Sequence, residues 1–302
     1  MCTLEGGARA GEQLSDRRKG LQGKWQVVKC RGCSTLSLDP MPSDDELSRY
    51  YSVYTRESEV VLGNGIGSRK PTLRRVYHWL SGDVDPRDFV EVPPGGRVLD
   101  YGSGRGTYLR YFDAQGVDIV GAEISEVMLT ACSRVGLNMR RVESFDVIPF
   151  PDDEFDVVYL MQVFEHLRGP RRFMGELSRV LKTGGTLHLA LPNASSGWRR
   201  FFGANWVSGW FAPFHLVHYT RESLSDLGAD FGMVATSSWS RTPESWFRLN
   251  LKAALHRHDD QVEARRDLLD SLPVRFVLMC LLRMVELFVR ERDCLVVTFR
   301  KQ

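Results

Sequence analysis

Hydrophobic and polar positions between Arg97 and Ser125 change their period twice. Val98 and Leu99 form a short apolar run closing on Asp100, and Gly102, Gly104 and Gly106 then fall on alternate positions. Leu109 and Phe112 follow at helical spacing, and a second apolar run from Val117 to Ala122 ends on Glu123. That order predicts strand, glycine turn, helix and strand, a βαβ unit. Downstream, Ser125 to about Val135 reads as a helix with Val127, Met128, Ala131 and Cys132 inward, and a weakly marked strand follows near Met139–Val142. Phe155–Met161 is a nearly continuous apolar run, as a buried parallel strand requires. Pro170 opens a helix carrying Phe173, Leu177, Val180 and Leu181, which Gly184-Gly185 should end. Thr186–Leu191 reads as the next strand, Thr220 caps a helix, and Val234–Trp239 is a short strand. Trp246–His256, Gln261–Leu269 and the apolar Leu272–Val289 read as helices, and Cys294–Phe299 as a final strand. Strands alternating with helices predict a doubly wound α/β sheet.

Upstream the pattern is weaker. Residues 1–24 have little periodicity and are expected to be loop, and Trp25–Cys30 is a short strand entering a Cys30-Arg-Gly-Cys33 knuckle. Ser43 and Glu46 form a capping box opening a helix, Gly63–Gly67 is a linker, and Thr72–Leu80 carries Leu73, Val76, Tyr77 and Leu80 at helical spacing. The chain therefore divides into an N-terminal segment, 1–60, and a core, 68–302, with 194–220 and 242–290 as insertions on the substrate side. The first insertion holds Trp198, Phe201, Phe202, Trp206, Trp210, Phe211, Phe214 and Tyr219. Eight aromatics are more than a lid needs, so part of the set should form the core of a cap.

Composition narrows the classes. The chain has 302 residues and a formal net charge of +2, with no dense basic run, so no nucleic-acid partner is expected. Nothing resembles a signal peptide or a bilayer-spanning run, and six scattered cysteines do not form a disulfide framework. A cytoplasmic protein acting on a small-molecule substrate is the expectation. Phe276–Leu282 contains no polar residue; core packing is expected there, with a homodimer face or a membrane-surface contact through 272–289 as the alternatives.

The chemistry starts at the glycine turn. Glycines permit unusual backbone angles and close approach of a ligand, and Glu123 stands where a carboxylate can grip ribose hydroxyls. Dinucleotides, flavins and S-adenosylmethionine all use such turns. The Gly-x-Gly-x-Gly spacing and Asp100 immediately before it lean toward the last, because a cationic ligand wants a carboxylate there and a pyrophosphate does not.

Val98-Leu-Asp-Tyr-Gly-Ser-Gly-Arg-Gly106, Gly121-Ala-Glu-Ile-Ser125, Ile148–Asp156, Phe164-Glu-His-Leu167 and Leu181–Thr186 together resemble, in order, the motifs of the class I S-adenosylmethionine-dependent methyltransferases. The resemblance implies a seven-stranded Rossmann-like sheet with its last strand antiparallel. It implies cofactor contacts from Asp100, Gly102, Ser103, Gly104, Gly106, Glu123, Ile124, Ser144, Phe145, Met161 and Gln162. The acceptor it implies is a small molecule, such as a hydroxyl of a sugar, a glycan precursor or a secondary metabolite. A binding module that keeps the fold without turnover is the alternative. The N-terminal part resembles a subgroup with a zinc ribbon, whose upstream cysteine pair is here reduced to Cys2-Thr-Leu-Glu5; Cys2, Glu5, Cys30 and Cys33 are the implied zinc ligands. A hydroxyl acceptor must lose a proton, and a histidine is the usual agent. His215, in the aromatic insertion, is the first candidate for that role, with His218, Tyr219 and His166 behind it.

Overall fold

The computed structural model describes residues 8–43, 45–50, 71–143 and 147–302. Its main sheet contains β4 (Arg97–Tyr101), β5 (Asp118–Glu123), β6 (Met139–Arg141), β7 (Phe155–Met161), β8 (Leu181–Pro192), β10 (Met233–Arg241) and β11 (Cys294–Lys301). The strand order is β10-β11-β8-β7-β4-β5-β6, and β11 runs antiparallel to both its neighbours. The chain belongs to the expected class, a seven-stranded doubly wound sheet with its last strand reversed. The reversal has a local cause: β10 ends beside the start of β11, in the pair Arg241↔Cys294, so the intervening residues leave and re-enter at one edge.

Both faces of the sheet are covered. Leu99, Val158, Leu160, Leu187 and Leu189 pack with Phe173 and Leu177 of helix α4 (Pro170–Val180) and with Leu224 and Leu227 of α7 (Arg221–Ala229). Val98, Ile119, Val157 and Tyr159 face the other way, onto Leu109 and Phe112 of α2 (Thr107–Asp113) and Cys132 of α3 (Glu126–Ser133). Continuous apolar strands such as β7 are what this two-sided burial demands.

Several local expectations change. Helix α4 stops at Val180, and β8 starts at once, pairing Leu181 with Phe155. Gly184-Gly185 is an irregularity inside that strand and not a helix stop; a Cβ on Gly185 would lie 2.8 Å from the Lys182 carbonyl. Residues 261–269 do not form the expected helix. Only Leu268–Asp270 is helical, a single turn whose Asp270 takes Lys252 Nζ at 2.6 Å, so ion pairing across elements overrides local pattern. In α3 the buried residues are Leu129 and Cys132, while Val127 is exposed. Helix α1 (Pro71–Ser81) leaves Val76, Tyr77 and Trp79 exposed. Helix α9 (Leu272–Val285) ends before Val289 and buries only Met279, Leu282 and Arg283; Phe276, Leu281 and Met284 are exposed, against the core packing expected of them. No helix among the described residues is long and apolar enough to cross a membrane.

Residues 8–14, expected as loop, form strand β1 (Ala8–Leu14), which pairs antiparallel with β2 (Trp25–Lys29). Strand β3 (Leu36–Asp39) continues this second sheet and pairs with β9 (Val217–His218) through Leu36↔His218 and Ser37↔Val217. Leu14, Trp25, Val27, Leu36 and Leu38 share one core with Phe202, Trp206 and Trp210 of the first insertion and with Phe247 of α8 (Glu244–Leu255). The N-terminal strands and the insertions are thus one composite cap. It stands over the edge where β4, β5, β7 and β8 end, the position at which ligands bind in such sheets.

Candidate functional site

The glycine turn leaves β4 and is tied to the end of β5: Gly102 N and Ser103 N both donate to the Ala122 carbonyl, at 2.8 and 3.2 Å. Its three glycines have φ of +77°, +51° and +65°. A Cβ on Gly102 would meet Val163 at 2.4 Å and one on Gly106 would meet Leu137 at 2.6 Å, whereas one on Gly104 would meet nothing within 4 Å. The turn is packed on its flanks and open in its middle. Glu123 closes the arrangement: one carboxylate oxygen accepts from Gly104 N at 2.8 Å, and the other from Ile124 N and Ser125 N at 2.9 Å each. Three backbone donors hold the carboxylate in place, and the oxygen that accepts from Gly104 keeps a lone pair for a hydroxyl donor. Ile124 beside it is exposed.

Asp100, at the head of the turn, is buried, and its Oδ2 has no hydrogen-bond partner among the described residues. Burial pushes its carboxyl up to about 7, the neighbouring Tyr159 hydroxyl opposes the shift and the Glu123 charge adds to it. An ammonium or sulfonium group would supply the missing countercharge, so these residues fit a cationic, ribose-bearing ligand.

A second group of side chains lies beyond Val163, the residue on which Gly102 packs. The turn Phe164–His166 follows β7, and the Glu165 carbonyl accepts from Leu216 N at 2.8 Å, which binds the insertion to the turn. His215 is buried, and its Nδ1 lies 2.8 Å from the Gly209 carbonyl. A carbonyl only accepts, so Nδ1 carries the proton and Nε2 presents a lone pair. That Nε2 is 3.7 Å from Glu165 Oε1, and the His166 and His215 rings meet edge to face with centroids 4.8 Å apart. His218 is fully buried against Trp210, with ring centroids 4.8 Å apart, and Tyr219 packs on Phe164. Burial pushes His166 down to about 4, His218 to about 3 and His215 well below its ordinary value, so all three are neutral at neutral pH. The same burial pushes Glu165 up to about 8.

Residues 84–238, just over half of the chain, match a family described as a methyltransferase domain. The chain belongs to the class I S-adenosylmethionine-dependent methyltransferases. Among its relatives is a demethylmenaquinone methyltransferase of Thermobifida fusca, 27% identical over 210 residues, covering 63% of this chain and 86% of that protein. A ubiquinone biosynthesis O-methyltransferase of Maricaulis maris is 29% identical over 126 residues, covering 38% of this chain and 49% of that protein. The match spans half or less of the first curated relatives, 48% of one and 40% of another. A methyltransferase solved in complex with the Haloferax volcanii Trm112 activator shares the fold, with a TM-score of 0.50 at 18% identity over 76% of this chain and 92% of that one.

In this methyltransferase Asp100, Gly102, Ser103, Gly104, Gly106, Glu123 and Ile124 come together at one sheet edge. Ser103 Oγ points to the Ala122 carbonyl at 3.4 Å, so it serves the turn itself. Ser144 and Phe145 lie outside the described residues. Met161 ends β7 and Gln162 follows it; Gln162 has φ of +57° and its amide Nε2 lies 3.4 Å from Cys294 Sγ. Cys30 and Cys33 flank the hairpin between β2 and β3, where Cys33 Sγ donates to Thr35 Oγ1 at 3.1 Å. Cys2 and Glu5 lie outside the described residues. Among the described residues the side-chain groups able to hold a metal are Glu165–His166–His215 and His78–Asp85–Asp88, neither containing a cysteine. The sequence shows Glu165 as part of the Glu-His step but assigns it no role of its own, and it does not single out Val163. An acid inside Phe164-Glu-His-Leu167, flanked by apolar residues, was the available signal for the first; the second shows only in the contact with Gly102.

Proposed function

We propose that this methyltransferase transfers a methyl group to a hydroxyl oxygen of a small acceptor admitted beneath the composite cap, with Asp100, Gly102, Ser103, Gly104, Gly106, Glu123, Ile124, Met161 and Gln162 around the cofactor. S-adenosylmethionine, when bound, supplies a methyl already activated on a sulfonium. The protein then has to align the acceptor, exclude water and take a proton. His215 is assigned the proton, through the lone pair that its bond to Gly209 leaves on Nε2, with His218, Tyr219 and His166 as the alternatives.

One observation carries this reading: the cluster of buried Glu165, half-buried His166 and buried His215 begins two residues after Val163, the side chain against which the open glycine turn is packed. Sugar, glycan-precursor and secondary-metabolite hydroxyls are the acceptors to test. Phenolic ones join them because a ubiquinone biosynthesis O-methyltransferase is among the relatives. Zinc on Cys2, Glu5, Cys30 and Cys33 is part of the same proposal, supported by the two half-buried thiols of one hairpin turn.

The decisive experiment incubates the protein with labelled S-adenosylmethionine and those acceptor classes and follows S-adenosylhomocysteine. His215→Ala should lower turnover by about 10²-fold or more with cofactor affinity intact. Normal turnover of that variant across neutral pH would remove His215 from the role, and tighter binding of NAD than of S-adenosylmethionine would end the whole reading.

A further inference from the structure

One ligand atom each of Glu165, His166 and His215 lies within 4.8 Å of the other two; Glu165 and His215 are buried and His166 is half-buried. We propose that these three side chains form a binding site for a divalent transition metal of the zinc kind, an inference that rests on the reading above because it concerns the same cluster; where metal is held, His215 Nε2 and His166 are ligands and the proton-accepting role passes to His218 or Tyr219. Glu165 is completely buried, and neither of its carboxyl oxygens has a hydrogen-bond partner among the described residues. A carboxyl group in such a setting has to be matched by a cation or carry a proton of its own. A proton shared with His215 would need the two atoms within about 3.2 Å. They are 3.7 Å apart.

A metal accounts for that spacing. Bonds of about 2.0–2.2 Å in a tetrahedron place ligand atoms about 3.3–3.6 Å from one another, so small side-chain movements would close the set on an ion. The outer contacts agree. His215 gives its Nδ1 proton to the Gly209 carbonyl at 2.8 Å, which directs Nε2 at the cluster in the way metal-bound imidazoles are held. Nitrogen and oxygen donors without thiolate suit zinc. Three protein ligands leave a fourth position open, the arrangement of catalytic and not structural zinc. The other group of this kind is less suitable, because Arg87 already answers the Asp85 carboxylate, with Nε 2.9 Å from both oxygens.

The test uses the full chain purified without chelator. Elemental analysis should find zinc that persists in a Cys30→Ser, Cys33→Ser double variant and is lost from Glu165→Gln. In Glu165→Gln, zinc affinity measured against a chromophoric competitor should fall beyond the about 10- to 100-fold that loss of an outer contact costs. Cobalt substituted into the Cys30→Ser, Cys33→Ser double variant should give strong visible d–d bands without a sulfur-to-metal charge-transfer band, which decides the matter even if Glu165→Gln fails to fold. A Cys30→Ser, Cys33→Ser double variant that binds neither zinc nor cobalt, metal undiminished in Glu165→Gln, or a cobalt spectrum of the double variant dominated by sulfur would overturn the proposal. Because metal is counted without turnover, a failed methyl-transfer assay bears on the functional reading and a metal-free protein on this one.

Discussion

Gly104 separates ligand contact from packing. A side chain at Gly102 or Gly106 collides with Val163 or Leu137, so substitution there damages the fold whatever binds. At Gly104 the space is open and the remaining cost is the left-handed backbone, on the order of 1 kcal/mol or more for a residue with a Cβ. Gly104→Val should therefore fold, with a modest fall in melting temperature, yet lose S-adenosylmethionine binding in calorimetry; unchanged affinity would remove the basis of the cofactor assignment. Asp100 gives a second prediction. Its carboxyl, lifted to about 7 by burial, is half protonated at neutral pH. A cationic ligand favours the ionised form, so cofactor affinity should be flat above pH 7 and fall roughly tenfold per unit below it, as displacement of one proton requires. Asp100→Asn should bind weakly at every pH, and a wild-type affinity that does not change between pH 5.5 and 8 would contradict the assignment.

The junction between β8 and β11 ties cap to sheet at the level of elements. Asp293, just before β11, is fully buried; its Oδ1 accepts from Ser196 Oγ and, at 2.8 Å, from Trp206 Nε1, and its carbonyl accepts from Asn193 N at 2.7 Å. Burial raises its carboxyl to about 7, against which the two side-chain hydrogen bonds work. Between about pH 4 and pH 7 the folded chain holds a proton that the unfolded chain has released, so stability declines as pH rises through that window and levels off above it. The loss should be about 1–4 kcal/mol in urea unfolding. Asp293→Asn should flatten the curve across the same window whatever its effect on absolute stability. A wild-type curve rising from pH 4 to 7 would mean that other groups dominate.

Across the whole molecule the N-terminal strands close the cap over the sheet edge. Arg17 donates to the carbonyls of Ala253 at 2.9 Å and His256 at 2.6 Å, and its own carbonyl accepts from Val262 N at 3.1 Å. Arg18 stacks on Phe211, 3.7 Å from the ring centroid, and pairs with Glu263 at 2.9 Å. Arg17→Ala should cost about 1–3 kcal/mol, since charged donors to buried carbonyls are lost. Proteolysis within the first 40 residues should accelerate, turnover should fall and cofactor affinity should stay the same. Equal loss of cofactor affinity would show that the strap supports the sheet edge as well as the cap.

What the chain's own pattern determined was the main sheet and the glycine turn with its closing acid, Glu123. Val98 to Glu123 carries period, glycines and acids within 26 consecutive residues, and short-range order of that kind follows from backbone sterics and burial alone. The same logic misplaced the Gly184-Gly185 step, because a glycine pair ends a helix or bulges a strand according to its partner, here β7. It also missed β1, whose residues acquire strand structure from pairing with β2. The histidines were legible as candidates but their state was not. Only the tertiary structure brings Glu165 from the end of β7 against His215, 50 positions later, in a place water does not reach. A histidine in water is a base near neutrality; buried beside a carboxyl that has no other partner it is a neutral nitrogen ligand, and that difference arises from desolvation, which depends on what the rest of the chain covers.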